Sequence, residues 1–526
     1  MEHPQQKAWP FYLLFGILAV ALLALGGRVV HLQSAYGSRL SEVAERQQRM
    51  VIVLPGRPGN IFGRSRRGYV LLAGSRPAPS CYADPKLLGE RNFARAAEKV
   101  AAIVGASPRE LRGKLLERRD KGFVYLARDL SPWEAEAIRK LDMPAVCITH
   151  EWRRRYPQGS RAAHVLGFRR IDGVAGEGAE LKAEAWLAAT DGRKVVRVDA
   201  RRRGSYAQLK EFHPPRNGKH VVLTIDVMIQ GFLEEALAET VAQYDAVAGM
   251  GVVMDPRSGK ILAMASVPTF DPNHYQTSSP DQRRNRTITD PYEPGSAFKP
   301  IVAIGAVQLG RATLATEFFC HNGLYHAHRG GTIREFSRGF GTITMAEGII
   351  RSSNIYMAKL GETLGNELLY RIARAFDFGR RTGVELPGED PGRLVPARRW
   401  TSYATRRMPF GQGPIMVTCL QLARAFSAIA NGGELLRPWI IDRVFDADGQ
   451  QIYRGRRQRV RRVLSRSVAR EFIDEALVNV VARGTGKRCR LDRWQVFGKT
   501  GTGQVGSRSG YIEGAYTATF LGGAPA

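Results

Sequence analysis

The sequence predicts a mixed α/β (α+β) protein carried on a single membrane-spanning helix. Three observations predict it. Near the N-terminus, Ala8–Gly27 runs for 20 residues without a charge. Beyond it, short β-branched segments alternate with stretches of helical apolar spacing. The length, 526 residues, suits about three domains or two large ones. Hydrophobic residues at 44% and charged residues at 24% exclude wholesale disorder and a disulfide scaffold.

The first element is the apolar run. At 1.5 Å per residue it spans about 30 Å, one hydrocarbon core. Trp9 and Tyr12 stand near its start, where aromatic belts lie. The small residues Ala24, Gly26 and Gly27 also allow a cleaved signal peptide, but the length favours an anchor. Lys7 precedes the run, whereas Arg28, Arg39, Arg46 and Arg49 follow it. That count opposes export of the C-terminal side, yet large domains translocate regardless of flanking charge. Residues 28–49 can continue the helix outward, and Met50–Leu54 reads as a strand.

Between residues 60 and 215 short strands mix with helices at Asn92–Val104 and Pro108–Arg118. Ser131, with Glu134 three residues on, predicts a capped helix start. Arg201–Lys219 is rich in Arg, Gly and Pro and reads as a boundary. Val221–Asp226 is strand-like and Val227–Gln243 helical. Met250–Asp255 and Ile261–Ser266 read as a hairpin around Pro256–Gly259. The resulting division is 1–8 tail, 9–30 anchor, 31–215 N-terminal domain and 216–526 second domain.

Lys and Arg (78) exceed Asp and Glu (49) by 29, which suits a polyanionic neighbour or reflects coding bias. The Arg454–Arg462 cluster lacks interleaved aromatics, so it is expected to be a solvated loop, and no nucleic acid is expected as partner. Five scattered cysteines without metal spacing predict neither a zinc site nor a disulfide framework.

Three motifs carry chemistry. Ser296 and Lys299 stand at i, i+3 where a helix is expected to begin, with Pro300 confined to its first turn. A serine hydroxyl needs a base, and lysine serves only when burial or a second cation lowers its pKa. Alone, the pair also reads as a helix cap with an exposed lysine. Ser352-Ser353-Asn354 offers a hydroxyl that donates and accepts and an amide that orients a peptide. Alone, it is an ordinary turn. Lys499-Thr500-Gly501-Thr502 follows Trp494–Gly498, which reads as a strand. Gly501 leaves room for a substrate backbone, while Lys499 and the threonine hydroxyls suit a carboxylate. Alone, it is an edge strand.

In this order, SxxK, SxN and KTG resemble the set of the penicillin-recognising serine acyltransferases. The whole chain resembles the class B penicillin-binding proteins, the monofunctional peptidoglycan D,D-transpeptidases. The resemblance runs through Arg155-Tyr156-Pro157, His164–Phe168, Gly176–Glu180, Leu223–Asp226 with Gln230, Thr382–Glu389, Gln421-Leu422-Ala423 and Ala430–Gly433. Asn285–Ser296, Gly510-Tyr511-Ile512, Ala515–Ala518 and Gly523–Ala526 look most like the cell-division (septal) member; an elongation or sporulation relative stays open.

The resemblance implies a transpeptidase domain with a central antiparallel sheet flanked by helices, over an elongated N-terminal dimerisation or pedestal domain. It implies that Ser296 attacks the penultimate D-Ala of a stem pentapeptide, Lys299 takes its proton and Ser352 relays a proton. Asn354 would hold the stem amide; Lys499, Thr500 and Thr502 would hold the terminal carboxylate, with Gly501 admitting the substrate. The N–H groups of Ser296 and Thr502 would form the oxyanion hole. A β-lactam would acylate Ser296. No metal or cofactor is implied. The expected partners are stem peptides, a polytopic glycan polymerase and other division proteins. The expected location is the bacterial cytoplasmic membrane, with the catalytic domain outside.

Two departures stand out. The family's RGxIxDR stretch reads RPGNIFGR at Arg57–Arg64. Only 24 residues follow Thr502, so a further strand and a C-terminal helix are expected to be missing. That keeps a non-catalytic division scaffold open as an alternative, with a β-lactamase or β-lactam sensor as another.

Overall fold

The computed structural model describes residues 9–143, 145–198, 204–327, 331–336, 339–507 and 510–526. The expected tail, 1–8, and part of the expected boundary, 199–203, lie outside the described residues.

Helix α1 (Trp9–Gln48) takes in the apolar run and continues through the polar segment after it. Within it, Trp9–Arg39 is long and apolar enough to cross a membrane by length and composition. By contacts the chain forms two compact units, Met1–Gly56 with Ala189–Arg216, and Arg57–Ala188 with Asn217–Ala526.

In the first unit, β1 (Arg49–Leu54) lies beside a strand at Gly192–Val198, which pairs in turn with one at Gly204–His213, all antiparallel. Part of the Arg/Gly/Pro-rich stretch is therefore strand rather than linker. A neighbouring ladder overrides weak local propensity.

In the second unit, β2 (Ile61–Ser65) and β3 (Gly68–Ala83) form a hairpin. The far half of β3 pairs with β4 (Val124–Ala127) and β5 (Val146–Arg155). Helices α2 (Phe93–Val104), α3 (Pro108–Glu117) and α4 (Pro132–Arg139) pack here around Phe93, Val100, Leu111, Leu115 and Ile138. Ser131 caps α4 in the expected box with Glu134. Strand β6 (His220–Asp226) runs parallel to β2. Gly63 replaces the family's Asp on β2. A Cβ there would meet Val227 Cγ2 at 2.8 Å and Leu72 Cδ1 at 3.0 Å, so a side chain would require these neighbours to shift.

The motifs Arg155-Tyr156-Pro157, His164–Phe168 and Gly176–Glu180 lie around one buried carboxylate. Glu180, fully buried, accepts from Arg154 Nε at 2.5 Å, Arg169 Nε at 3.2 Å and the Tyr156 hydroxyl at 3.2 Å. The arginine used is Arg154; Arg155 instead lies 3.5 Å from Asp129.

Helix α5 (Val227–Gln243) is capped by Asp226 and precedes the hairpin of β7 (Gly249–Met254) and β8 (Ile261–Val267). The largest core follows, built on α6 (Lys299–Gln308), α7 (Asn354–Ala375) and α8 (Cys419–Ala430). The chain closes with β9 (Phe497–Ser507) against β10 (Gly510–Gly523). The antiparallel sheet strands thus form two ladders, β7–β8 and β9–β10. A groove of about 1070 Å³, lined by Val252, Met254, Phe426, Phe497 and Leu521, borders both.

The arginine cluster is not a free loop. Gln451–Arg454 and Arg459–Arg462 are strands, the latter pairing with Glu434–Leu436. Arg457, Arg459 and Arg462 reach Glu434, and Arg461 reaches Asp377. Most of these arginines are exposed, as expected, while acidic partners pair with them. No disulfide joins the five cysteines; Cys81 and Cys320 are buried and the others half-buried.

Candidate active site

A short 3-10 turn, Gly295–Phe298, brings the chain into α6. Gly295 sits at φ +54°, and a Cβ on it would lie 2.5 Å from the Thr502 carbonyl oxygen. Only glycine allows both the left-handed backbone and this approach. Ala297 and Phe298 are buried, Phe298 against Phe378 at 5.2 Å, while Ser296 keeps partial exposure. Pro300 falls within the first turn of α6, as its missing N–H requires.

Lys299 points inward and is fully buried. Its Nζ donates to the Ser352 carbonyl at 2.5 Å, Ser352 Oγ at 3.2 Å and Asn354 Oδ1 at 2.8 Å. The first two motifs therefore meet through Lys299. Among the described residues no hydrogen bond joins Lys299 to Ser296, its i, i+3 neighbour. Burial holds Lys299 down at about 7, with Glu335 pulling weakly the other way.

The second motif lies at the start of α7. Ser352 adopts φ +62°, unusual for a residue with a side chain. Ser353 is the N-cap, accepting from Tyr356 N at 3.0 Å. Asn354 Nδ2 donates to the Arg334 carbonyl at 3.0 Å, which turns its Oδ1 to Lys299.

The third motif lies on a strand, as expected, but with a later start than Trp494. The strand begins at Phe497 and carries Lys499–Thr502 within it. Lys499 is fully buried; its Nζ donates to Ser352 Oγ at 2.8 Å and to the Thr500 carbonyl at 2.9 Å. Burial and the neighbouring Lys299 both lower its pKa, well below the usual lysine range. Thr500 Oγ1 lies 2.6 Å from Thr485 Oγ1. Thr502 is exposed. Gly501 brings β9 onto the serine turn, since a Cβ there would lie 2.8 Å from Ala297 N. Strand β9 pairs with β10 along one edge. Among the described residues no second strand pairs with β9.

The three motifs thus lie in one neighbourhood: Ser352 joins Lys299 and Lys499, and the close approaches of Gly295 to Thr502 and of Gly501 to Ala297 set the serine turn against β9. Sequence reasoning did not find Thr485 or Glu335. Glu335 accepts from the backbone N–H groups of Asn354 and Ile355 and from the Ser353 hydroxyl. Glu293, which accepts from Gly413 N and the Tyr511 hydroxyl, lies three residues before Ser296 and was equally unmarked. None sits in a local pattern that announces its partner.

A serine at a turn into a buried helix, two desolvated lysines, and a strand edge beside them define a serine acyl-transfer fold. Residues 249–526 match the penicillin binding protein transpeptidase domain and residues 54–223 the penicillin-binding protein dimerisation domain. PenA of Neisseria meningitidis, described as a probable peptidoglycan D,D-transpeptidase, is 33% identical over 97% of this chain and 85% of its own length. The peptidoglycan D,D-transpeptidase FtsI of Escherichia coli is 31% identical over 100% of this chain and 86% of its own. Among solved structures, penicillin binding protein 3 of Mycobacterium tuberculosis complexed with aztreonam superposes with a TM-score of 0.67 at 26% identity, covering 90% of this chain and 88% of that one. The chain belongs to the penicillin-binding protein transpeptidase family.

Proposed function

We propose that this protein is a septal peptidoglycan D,D-transpeptidase, anchored by α1 with its catalytic domain outside the cytoplasmic membrane. The observation that carries the reading is the convergence of Lys299 and Lys499 on Ser352 Oγ, beside the Ser296 turn and the β9 edge.

A donor stem peptide adds as a strand to β9, its terminal carboxylate held by Lys499, Thr500 and Thr502. Ser296 Oγ attacks the penultimate D-Ala carbonyl, and Lys299, in its neutral form, takes the serine proton. The N–H groups of Ser296 and Thr502 stabilise the oxyanion. Ser352 accepts from both lysines, so both its lone pairs are engaged and its own proton is left to pass on. That relay delivers a proton to the departing D-Ala nitrogen as the C–N bond breaks, with Asn354 holding the stem amide. An amine from a neighbouring stem then attacks the ester and returns the proton to Ser296 Oγ, which completes the cross-link. A β-lactam forms the same ester and blocks the second step.

The assembled site speaks against a non-catalytic scaffold, and the named relatives speak against a β-lactamase or sensor. A membrane-embedded glycan polymerase would supply the strands to be cross-linked. The test is donor turnover. The full chain in detergent, given a pentapeptide-bearing glycan polymer and an amine acceptor, should release one D-Ala per cross-link. Binding of the polymer without D-Ala release would contradict the reading.

A further inference from the structure

The hairpin of Leu324–Ala327 and Gly331–Arg334 ends beside the start of α7. Glu335, directly after it, is fixed by its own backbone N–H, which donates to the Gly323 carbonyl at 3.1 Å. Its carboxylate spans the first turn of α7. Oε2 accepts from Asn354 N at 2.7 Å, and Oε1 from Ile355 N at 3.2 Å and from the Ser353 hydroxyl. Helix α7 therefore has two caps. Ser353 serves Tyr356 N, and Glu335 serves the two N–H groups ahead of it. A carboxylate here also faces the positive end of the first segment of α7, which runs to the break at Gly365.

The capped residues adjoin the reactive ones. Asn354 gives its N–H to Glu335 and its Oδ1 to Lys299. Ser352, one residue before the cap and held at φ +62°, takes both lysines. Charge points the same way. Lys299 from α6 and Lys499 from β9 are both buried, and Glu335 is the carboxylate whose field raises Lys299. The other ionisable groups around it are Arg334 on the hairpin, Lys359 of α7 and Cys320; Lys359 lies over the Tyr325 ring at 5.2 Å. Two lysines and one carboxylate balance when a single proton is carried between the lysines, which leaves one of them a free base.

We propose that Glu335 is the positioning residue of this site: it fixes Ser352 and Asn354 against the two lysines and supplies the counter-charge for one proton held between them. The proposal rests on the acyl-transfer reading above, and nothing in the sequence motifs assigns it. Glu335 touches no substrate in this account; it acts through Ser352, Asn354 and Lys299.

The test uses the full chain in detergent, with Glu335→Gln and Glu335→Asp beside the wild type. Two quantities are read: the rate of acylation by benzylpenicillin against pH, and amide exchange of the segment 352–358. Glutamine keeps the size but loses the charge and one acceptor. It should cut the plateau rate by about 10- to 100-fold, as loss of charge-assisted hydrogen bonds does. Its acid limb should move to lower pH, because the field that raises Lys299 is gone. Exchange in the segment should quicken by roughly tenfold. Aspartate keeps the charge and should leave the acid limb where the wild type has it. A slower reaction with an unmoved acid limb in the Gln variant would overturn the counter-charge role, and unchanged exchange would overturn the capping role. A wild type that benzylpenicillin never acylates would sink the acyl-transfer reading instead, with exchange still deciding the cap.

Discussion

Lys299 and Lys499 donate to the same atom, Ser352 Oγ, at 3.2 and 2.8 Å. Two ammonium groups cannot both stay charged that close in a buried site without a large electrostatic cost. One must release its proton, and a neutral lysine beside a serine hydroxyl is a base.

That relationship sets the pH dependence. Lys299 is held down at about 7, against about 10.4 for an unperturbed lysine. Acylation by a penicillin should therefore rise with pH, reach half its plateau near pH 7, and fall about tenfold per unit below that. The sign for stability follows from the same shift. Between the folded and unfolded values the unfolded chain binds the extra proton, so the contribution of Lys299 to stability rises with pH from about 7 to about 10.4. Stopped-flow acylation rates from pH 5.5 to 9 check the first statement. A flat profile would contradict it.

Ser352 separates chemistry from backbone strain. At φ +62° glycine is the residue at ease and alanine is not. Both Ser352→Ala and Ser352→Gly remove the shared acceptor and should slow acylation by about 10²- to 10⁴-fold, the usual contribution of a proton-transfer group. The glycine variant should be more stable than the alanine one by about 1 kcal/mol. Denaturant unfolding of the two variants measures this. Equal stabilities would show that the left-handed conformation carries no strain.

Gly501 makes the approach of β9 to the serine turn possible. A Cβ there would lie 2.8 Å from both Ala297 N and Ala297 Cβ, and neither is the end of a flexible chain. Gly501→Ala should push the strand away from Ser296 and reduce penicillin labelling by at least about tenfold, since small displacements of reacting groups are costly. Thermal unfolding should change little by comparison. Labelling at the wild-type rate would mean that the strand and the turn are not in the contact described.

Far from the reaction, Glu180 is an isolated test of the N-terminal region. It is fully buried between Arg154 and Arg169, at 2.5 and 3.2 Å. Glu180→Ala leaves two buried guanidinium groups without that partner and should cost about 3–5 kcal/mol. Calorimetry would read a lowered melting temperature, with Ser296 still labelled below it.

The parts of the fold legible in the sequence are those encoded within a few residues. The apolar run, the Ser131–Glu134 capping box and the hairpin around Pro256–Gly259 each carry their own signal. So do the three site motifs, because each is a contiguous run recognisable without its neighbours in space. Contacts between distant segments are not legible in this way. Arg154 rather than Arg155 reaches Glu180 because alternation along β5 decides which arginine faces inward. The strand at Arg459–Arg462 depends on Glu434 and Asp377, which no local pattern connects to it. Glu335 reaches a helix start 19 residues further along the chain. The sequence also suggests that Lys299 faces Ser296, whereas Ser352 and Asn354 take its hydrogen bonds, a competition visible only once the motifs are folded together.

The central claim is that Ser296 is a nucleophile activated by this lysine pair. The most direct measurement is covalent labelling of the full chain in detergent with a fluorescent penicillin, wild type beside Ser296→Ala, with the adduct located by peptide mass. The account predicts a stable one-to-one ester on the peptide containing Ser296 in the wild type and none in the variant. A folded wild type that takes no label, or a Ser296→Ala variant that labels as well as the wild type, would contradict it.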